Sequence, residues 1–526
     1  MHQTTRTQEA TVRTWLHPLP SVVPALVLMA FVASFGAAPA PAAEEEEAPA
    51  AEPAAAAPSD PWAVPPEGAC QPSGGLRVAA GDDADAPFPF APGDTVQLPQ
   101  IEALRRFLPR PLWEYRERFF YEGMRLEIGP CYRDYSPPAF FQEAAARSAG
   151  QATLTSDGGL AGWQAGLAFP PASIDPDDSQ AGLRWAWNVA TRYQAAGFRG
   201  RFRVVDLLGR VGRAEPFEGE IFRMQLAHRA DRADDGFSTP FASGNWWVAG
   251  GRFLEPTNAR EYAWRQYRNE ESLLKAQRTD DLLAYLPTWR RVRRIPAVDV
   301  EGLYMPSFSV GVVQSQQLAV GTGGAGEGGG VAAGGAVGAS SSTLQTRRSG
   351  FEGMEIRPLL WDWRVAGVQD LLAPINVVQP MYPAEKQREF GPWGLSFASD
   401  RWDLRRALVL EGRIKGSPGE RGEARVLWYV DLQTLVPLFY MAYGTKDQPI
   451  DVGVFAYRWS EDREDYPRWP DDPERPVRVL DTVGAAFANL AEDGSWRRES
   501  WELVGTPPPD KQIKQMISST DLTKGR

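Results

Sequence analysis

The feature that most constrains this chain is a succession of strand-length segments cut by turn residues. Between Gly200 and Arg268 the segments RFRVVDLL, GEIFRMQLAHR, NWWVAGGRF and EYAWRQYR are separated by Gly, Pro, Asp and Asn, which predicts antiparallel strands joined by short connections. Consecutive pairing is the simplest arrangement. The pattern returns in GPWGLSFASDRWDLRRALVLEGRI, where Leu408, Leu410 and Ile414 alternate with Val409, Glu411 and Arg413. It continues through ARVLWYVD, LVPLFYMAY, DVGVFAYRWS, VGAAFANL and SWRRESWELV, with turn clusters such as Gly444-Thr445-Lys446-Asp447 between them. A mainly β domain with a few helices (α+β), built on one large curved antiparallel sheet, follows. The 19 Trp, 45 Pro and 50 Gly supply aromatic faces and turns for such a sheet.

Helical spacing is confined to short stretches. Ile101, Leu104 and Leu108 precede Pro109, and Leu112, Tyr115, Phe119 and Phe120 make an apolar stripe after Pro111. A further short helix is predicted from Ser179 onward. Asp175, Asp177 and Asp178 just before it suggest a calcium loop, but Gln180 stands where the loop glycine belongs and Ala186 where the closing glutamate belongs. Those acids are read as helix caps.

The ends and one internal stretch are set apart by composition. Arg6 and Arg13, the apolar run from Val22 to Phe35 and Ala40-Pro41-Ala42 have the form of a secretory signal over residues 1–42. Residues 43–92, rich in Ala, Pro, Glu and Asp, are read as a linker, and residues 93–508 as a single domain. Residues 320–343 are a glycine-rich insertion without the lysine of a phosphate-binding loop, and residues 509–526 are expected to form a loosely held tail. The two cysteines, Cys70 and Cys131, could pair in an oxidising compartment or remain buried thiols.

The candidate binding stretch is DDLLAYLPTWRRVRRIP, Asp280 to Pro296. Its period-two pattern puts Trp289, Arg291 and Arg293 on one face and Arg290, Val292 and Arg294 on the other, after a strand carrying Leu283 and Tyr285. Arginine forks suit carboxylate or phosphate, so the segment could receive an anionic head group beside an apolar wall to which Trp246 or Trp247 contributes. The alternative is a solvated strand whose arginines pair with the chain's own acids.

Several chemistries lack material. Once residues 1–42 are removed, His228 is the one histidine left, so two-histidine catalysis and histidine-rich metal sites are excluded, and no cofactor is called for. His228 itself is read as structural. The net charge of -11 argues against nucleic acid as a partner. A carboxylate-pair glycosidase with an aromatic cleft stays open, although no acid pair stands out.

GLAFPPASIDPDDSQAG with RWAWN, YLPTWRRVRRI, IRPLLWDWRV with LLAPIN, GPWGLSFASDRWDLRRALVLEGR and WYVDLQTLVPLFYM resemble an uncharacterised proteobacterial family of unknown function, often labelled outer-membrane lipoprotein-sorting-like. The resemblance covers residues 94–508, and that family is similar to the LolA/LolB carriers. It implies a half-open β-barrel with helices covering its concave face. The implied role is noncatalytic carriage of a lipid or other hydrophobic molecule in the periplasm, in association with the outer membrane. The implied partners are an exporter of the resistance-nodulation-division type or an outer-membrane protein. The rival role is an envelope scaffold that docks a partner protein along the sheet edge or the arginine patch.

Overall fold

The computed structural model describes residues 60–71, 87–208, 212–213, 216–257, 259–287, 290–295, 302–306, 355–383, 388–416, 423–490 and 497–523. The glycine-rich insertion, residues 1–59 and Trp289 lie outside the described residues.

The predicted alternation becomes strands in two runs. The first comprises β1 (Thr95–Val96), β2 (Leu126–Cys131), β3 (Thr153–Leu154), β4 (Leu160–Ala161), β5 (Gly197–Leu208), β6 (Gly212–Arg213), β7 (Phe217–Gln225), β8 (Asn245–Glu255), β9 (Ala263–Asn269), β10 (Asp281–Leu286) and β11 (Arg291–Ile295). The second comprises β12 (Trp361–Ala373), β13 (Arg401–Ile414), β14 (Glu423–Asp431), β15 (Pro437–Gly444), β16 (Pro449–Trp459), β17 (Leu480–Asn489) and β18 (Arg497–Val504). Apart from the β3–β4 hairpin, these form one 16-stranded sheet. Its spatial order is β1-β2-β13-β14-β15-β16-β17-β18-β5-β7-β8-β9-β10-β11, with β12 on β13 and β6 on β5.

Two neighbour-by-neighbour meanders thus meet where the last strand, β18, pairs with β5 from Arg497↔Asp206 to Val504↔Arg199. The sheet is antiparallel except where β2 runs parallel to β13. The barrel expectation is corrected: among the described residues the sheet is open, with β1 at one end of the strand order and β11 at the other.

The main core lies between the sheet and short helices. α1 (Arg110–Glu114), α2 (Ala139–Ser148) and α3 (Ala181–Ala190) are each at most ten residues long. Helices this short owe their stability to the apolar face they bury. α3 lies on β12, and Trp185 and Trp187 are buried there. Gly182 allows the close approach, because a Cβ would sit 2.5 Å from the Arg364 Cα. Residues 60–71, within the stretch read as linker, lie against the same helix. The Trp62 indole donates to the Ile174 carbonyl at 2.8 Å and meets Trp185 edge-on at 5.1 Å. A disulfide joins Cys70 to Cys131 at the end of β2.

The C-terminal segment, expected to be loose, is held on the opposite face of the sheet. α4 (Asp510–Met516) buries Ile513 among Phe222, Met224, Leu226 and Val248. Farther on, Leu522 is buried with Ala263 and Tyr285. Arg232 pairs with Asp510 through both guanidinium nitrogens at 3.0 and 3.1 Å. Two apolar anchors in a polar stretch are enough to fix it.

Candidate ligand cleft

Strand alternation and register place two rows of side chains side by side on the sheet face under the C-terminal segment. One row runs Arg199, Phe222, Gly250, Arg265, Leu283, Arg294 across β5, β7, β8, β9, β10 and β11. The next runs Glu502, Arg201, Glu220, Arg252, Ala263, Tyr285, Val292 from β18 to β11. Acidic and basic residues alternate in the second row. The first row carries three arginines and no acid.

Between these rows and the C-terminal segment lies a cleft of about 630 Å³, lined among others by Arg199, Arg201, Glu220, Phe222, Arg252 and Arg265 and closed on one side by Met516 and Asp521. Four arginines face two carboxylates in it, a positive excess in a chain whose net charge is -11.

Arg265 is the fixed arginine of the group. Its Nε donates to the Met516 carbonyl at 2.7 Å, Nη1 to the Trp264 carbonyl at 2.8 Å and Nη2 to Asp521 at 2.9 Å. The guanidinium lies 4.9 Å from the Phe222 ring centroid. Gly250 makes room for this, since a Cβ there would come within 2.8 Å of the Arg265 Cδ. Burial lowers the Arg265 pKa to about 10, against the opposing pull of Asp521. Arg201 reaches Tyr382. The Arg199 guanidinium has no hydrogen bond, ion pair or ring partner among the described residues, and its Nε is buried without an acceptor.

The structure separates the residues singled out by sequence. Leu283, Tyr285 and Arg294 share the cleft's sheet face, but Tyr285 is buried beneath Leu522 and Arg294 pairs with Asp281. Arg290, Arg291 and Arg293 are exposed. Arg291 and Arg293 fall on the opposite face from Val292 and Arg294, as the period-two pattern requires, in the strand that ends the sheet among the described residues.

Trp246 and Trp247 belong to the main core. Trp246 meets Trp163, on whose ring His228 stacks at 4.2 Å. His228 Nε2 lies 3.2 Å from Glu270, so the histidine is built into the packing. Hydrogen bonding from His228 holds the Glu270 pKa below its ordinary value.

Trp247 is enclosed by charge. The Arg223 and Arg268 guanidinium carbons lie 5.4 and 4.5 Å from its ring centroid. Arg223 pairs with Glu355 at 2.6 Å, and Arg268 donates to both carboxylate oxygens of Asp280 at 3.0 and 2.9 Å. Asp280 also accepts from Gln266 at 2.6 Å. These side chains are buried, so the cage is sealed. Burial lowers the Arg223 pKa to about 10 although Glu355 opposes the shift.

Sequence reading did not find the cleft. Arg199 and Arg201 alternate with Phe198 and Phe202, a visible signal of one basic and one apolar face, yet their neighbours come from β7, β8 and β9 and depend on register.

Residues 117–310 match the model of a family described as protein of unknown function, DUF1329. The resemblance to an uncharacterised family therefore holds over that part of the chain. No curated protein matches. Among solved structures, a DUF1329 family protein from Desulfovibrio piger is similar at 12% identity and a TM-score of 0.37, over 66% of this chain and 99% of that one. A candidate outer membrane lipoprotein-sorting domain from Vibrio parahaemolyticus is similar at 12% identity and 0.35, over 66% and 100%. A LolA superfamily protein from Nitrosomonas europaea is similar at 10% identity and 0.29, over 65% and 98%.

Proposed function

We propose that this protein is a noncatalytic binder of an amphiphilic molecule, a carrier working in the bacterial periplasm next to the outer membrane. The observation that carries the reading is the cleft of about 630 Å³, which has a basic sheet wall, Phe222 in its floor and Met516 on its rim. Its volume falls in the range of about 300–1,000 Å³ usual for small-molecule sites, and a mixed lining of apolar surface with a few placed polar groups is what such a ligand needs. An aqueous compartment makes a free apolar chain costly, so shielding it is useful work without any reaction. The disulfide between Cys70 and Cys131 suits an oxidising compartment, in line with an export signal over residues 1–42.

The exposed Arg291 and Arg293 of β11, on the opposite face of the sheet, add positive charge at long range and would speed the approach of an anionic ligand. A second reading, docking of a partner protein along β11, rests on the same exposed Arg291 and Arg293 in the strand that ends the sheet among the described residues. Native mass spectrometry of protein purified gently from the periplasm, with solvent extraction of whatever accompanies it, separates the two. A stoichiometric lipid or other amphiphile supports the carrier; reproducibly empty protein that travels with another polypeptide contradicts it.

A further inference from the structure

The cleft's arginines differ in how their charge is spent. Arg265 is held by Asp521 and by the Met516 and Trp264 carbonyls. Arg201 and Arg252 are the cross-strand neighbours of Glu220 in the register of three adjacent strands, so an acid stands next to each of them. Arg199 has Val504 and Phe222 as its cross-strand neighbours, both apolar. It has no acid or carbonyl partner among the described residues, and its Nε is shut off from water. A partly buried cation without a counter-charge loses hydration and gains nothing in return. The missing partner is an anion, and the two direct cross-strand neighbours are apolar.

We propose that Arg199 is the head-group residue of the cleft. It receives the carboxylate or phosphate end of a single-chain amphiphile whose apolar part lies along Phe222 and Met516. The inference rests on the carrier reading and adds the charge of the ligand and the residue that reads it. A guanidinium suits either head group, because its fork of donors matches paired oxygens. Asp521 marks what the site accepts, since a carboxylate of the chain itself already occupies the neighbouring Arg265.

The test uses the full-length protein and four probes: dodecanoate, dodecyl phosphate, dodecanol and inorganic phosphate, with affinities measured by calorimetry for wild type, Arg199→Met and Arg199→Lys. Wild type is expected to bind at least one of the two anionic amphiphiles about tenfold or more tightly than dodecanol, the size of one charge-assisted hydrogen bond. Which of the two binds more tightly identifies the head group as carboxylate or phosphate. Arg199→Met should bring its affinity down to that of dodecanol without changing dodecanol itself, and Arg199→Lys should restore part of the difference. Unfolding curves matching wild type show that the variants are folded. The inference is overturned if Arg199→Met binds both anionic amphiphiles as wild type does, or if inorganic phosphate alone binds as tightly as dodecyl phosphate. It is also overturned, with the carrier reading left standing, if dodecanol binds wild type as well as the anions do. Failure of all three amphiphiles to bind removes both.

Discussion

Two regions of this molecule set arginines around an aromatic ring, and they end in opposite states. At Trp247, Arg223 and Arg268 are matched by Glu355 and Asp280 and shut away from solvent. At Phe222, Arg265 is matched by Asp521 while Arg199, on the other side of the ring in register, is left without a partner beside an open cleft. The difference is charge compensation. Where each guanidinium meets a carboxylate of the chain itself, the arrangement is part of the architecture; where one does not, the geometry has room for something from outside. An arginine beside an aromatic residue therefore says little until its counter-charge is found.

The largest effect that would sharpen this contrast is in the sealed region. Asp280→Ala leaves the buried Arg268 guanidinium without its carboxylate, and such losses cost about 3–5 kcal/mol. Urea unfolding should show that loss, whereas Arg199→Met removes a half-buried charge with no partner among the described residues and should not lower stability. Equal losses in the two variants would break the comparison.

Glu499 tests the rule from another side. It is fully buried on β18, neither of its oxygens has a hydrogen-bond partner among the described residues, and the Arg497 guanidinium stands 3.8 Å away. Burial pushes its pKa from 4.5 up to about 8. It therefore stays protonated near neutrality, and an uncharged acid needs no counter-charge. Because the folded value lies above the unfolded one, its stabilising contribution is whole below about pH 4.5 and is lost as pH rises through 8. The slope is at most about 1.4 kcal/mol per pH unit for one group. Asp481, pushed up to about 7, and Asp403, pushed up to about 6, both by burial, act in the same direction at lower pH. Glu499→Gln should flatten the decline in melting temperature between about pH 4.5 and 8. An unchanged profile would mean that the carboxyl is ionised and compensated in a way the geometry does not show.

The meander from Gly200 onward was legible because alternation and turn residues are local signals. Arg291 and Arg293 fell on one face of β11 for the same reason. Trp246 or Trp247 was read as part of a cavity wall because aromatic residues serve both cores and pockets. What buries Trp247 is Arg223, Arg268 and Glu355, brought in from other strands and from beyond the glycine-rich insertion. The row Arg199, Phe222, Gly250, Arg265 exists only once four strands are in register. The C-terminal segment was read as loose because Ile513 and Leu522 are isolated in polar text, and two anchors do not make a periodic signal.

Smaller effects should appear at the borders of the cleft. Asp521→Asn removes the carboxylate that occupies Arg265, a pair in which Asp521 is partly exposed, so stability should fall by about 1 kcal/mol or less. Dodecyl phosphate affinity, read by calorimetry, should rise; a fall would mean that Asp521 helps to shape the site. The smallest effect belongs to Arg291→Gln with Arg293→Gln. Association should slow a few-fold at low salt and be unchanged at high salt, as screened steering requires. A loss that persists at high salt would move these residues from the approach path into the contact itself.

The most direct measurement is hydrogen exchange of the full-length protein with and without a saturating anionic amphiphile such as dodecyl phosphate. If the open cleft is the binding region, protection rises in residues 197–203, 218–224 and 510–523, and the strands around Trp247 and Asp280 exchange as before. Protection confined to residues 280–286 and 355–363, with the C-terminal segment unchanged, would contradict the account, because the ligand would then lie against the region whose charges are already matched.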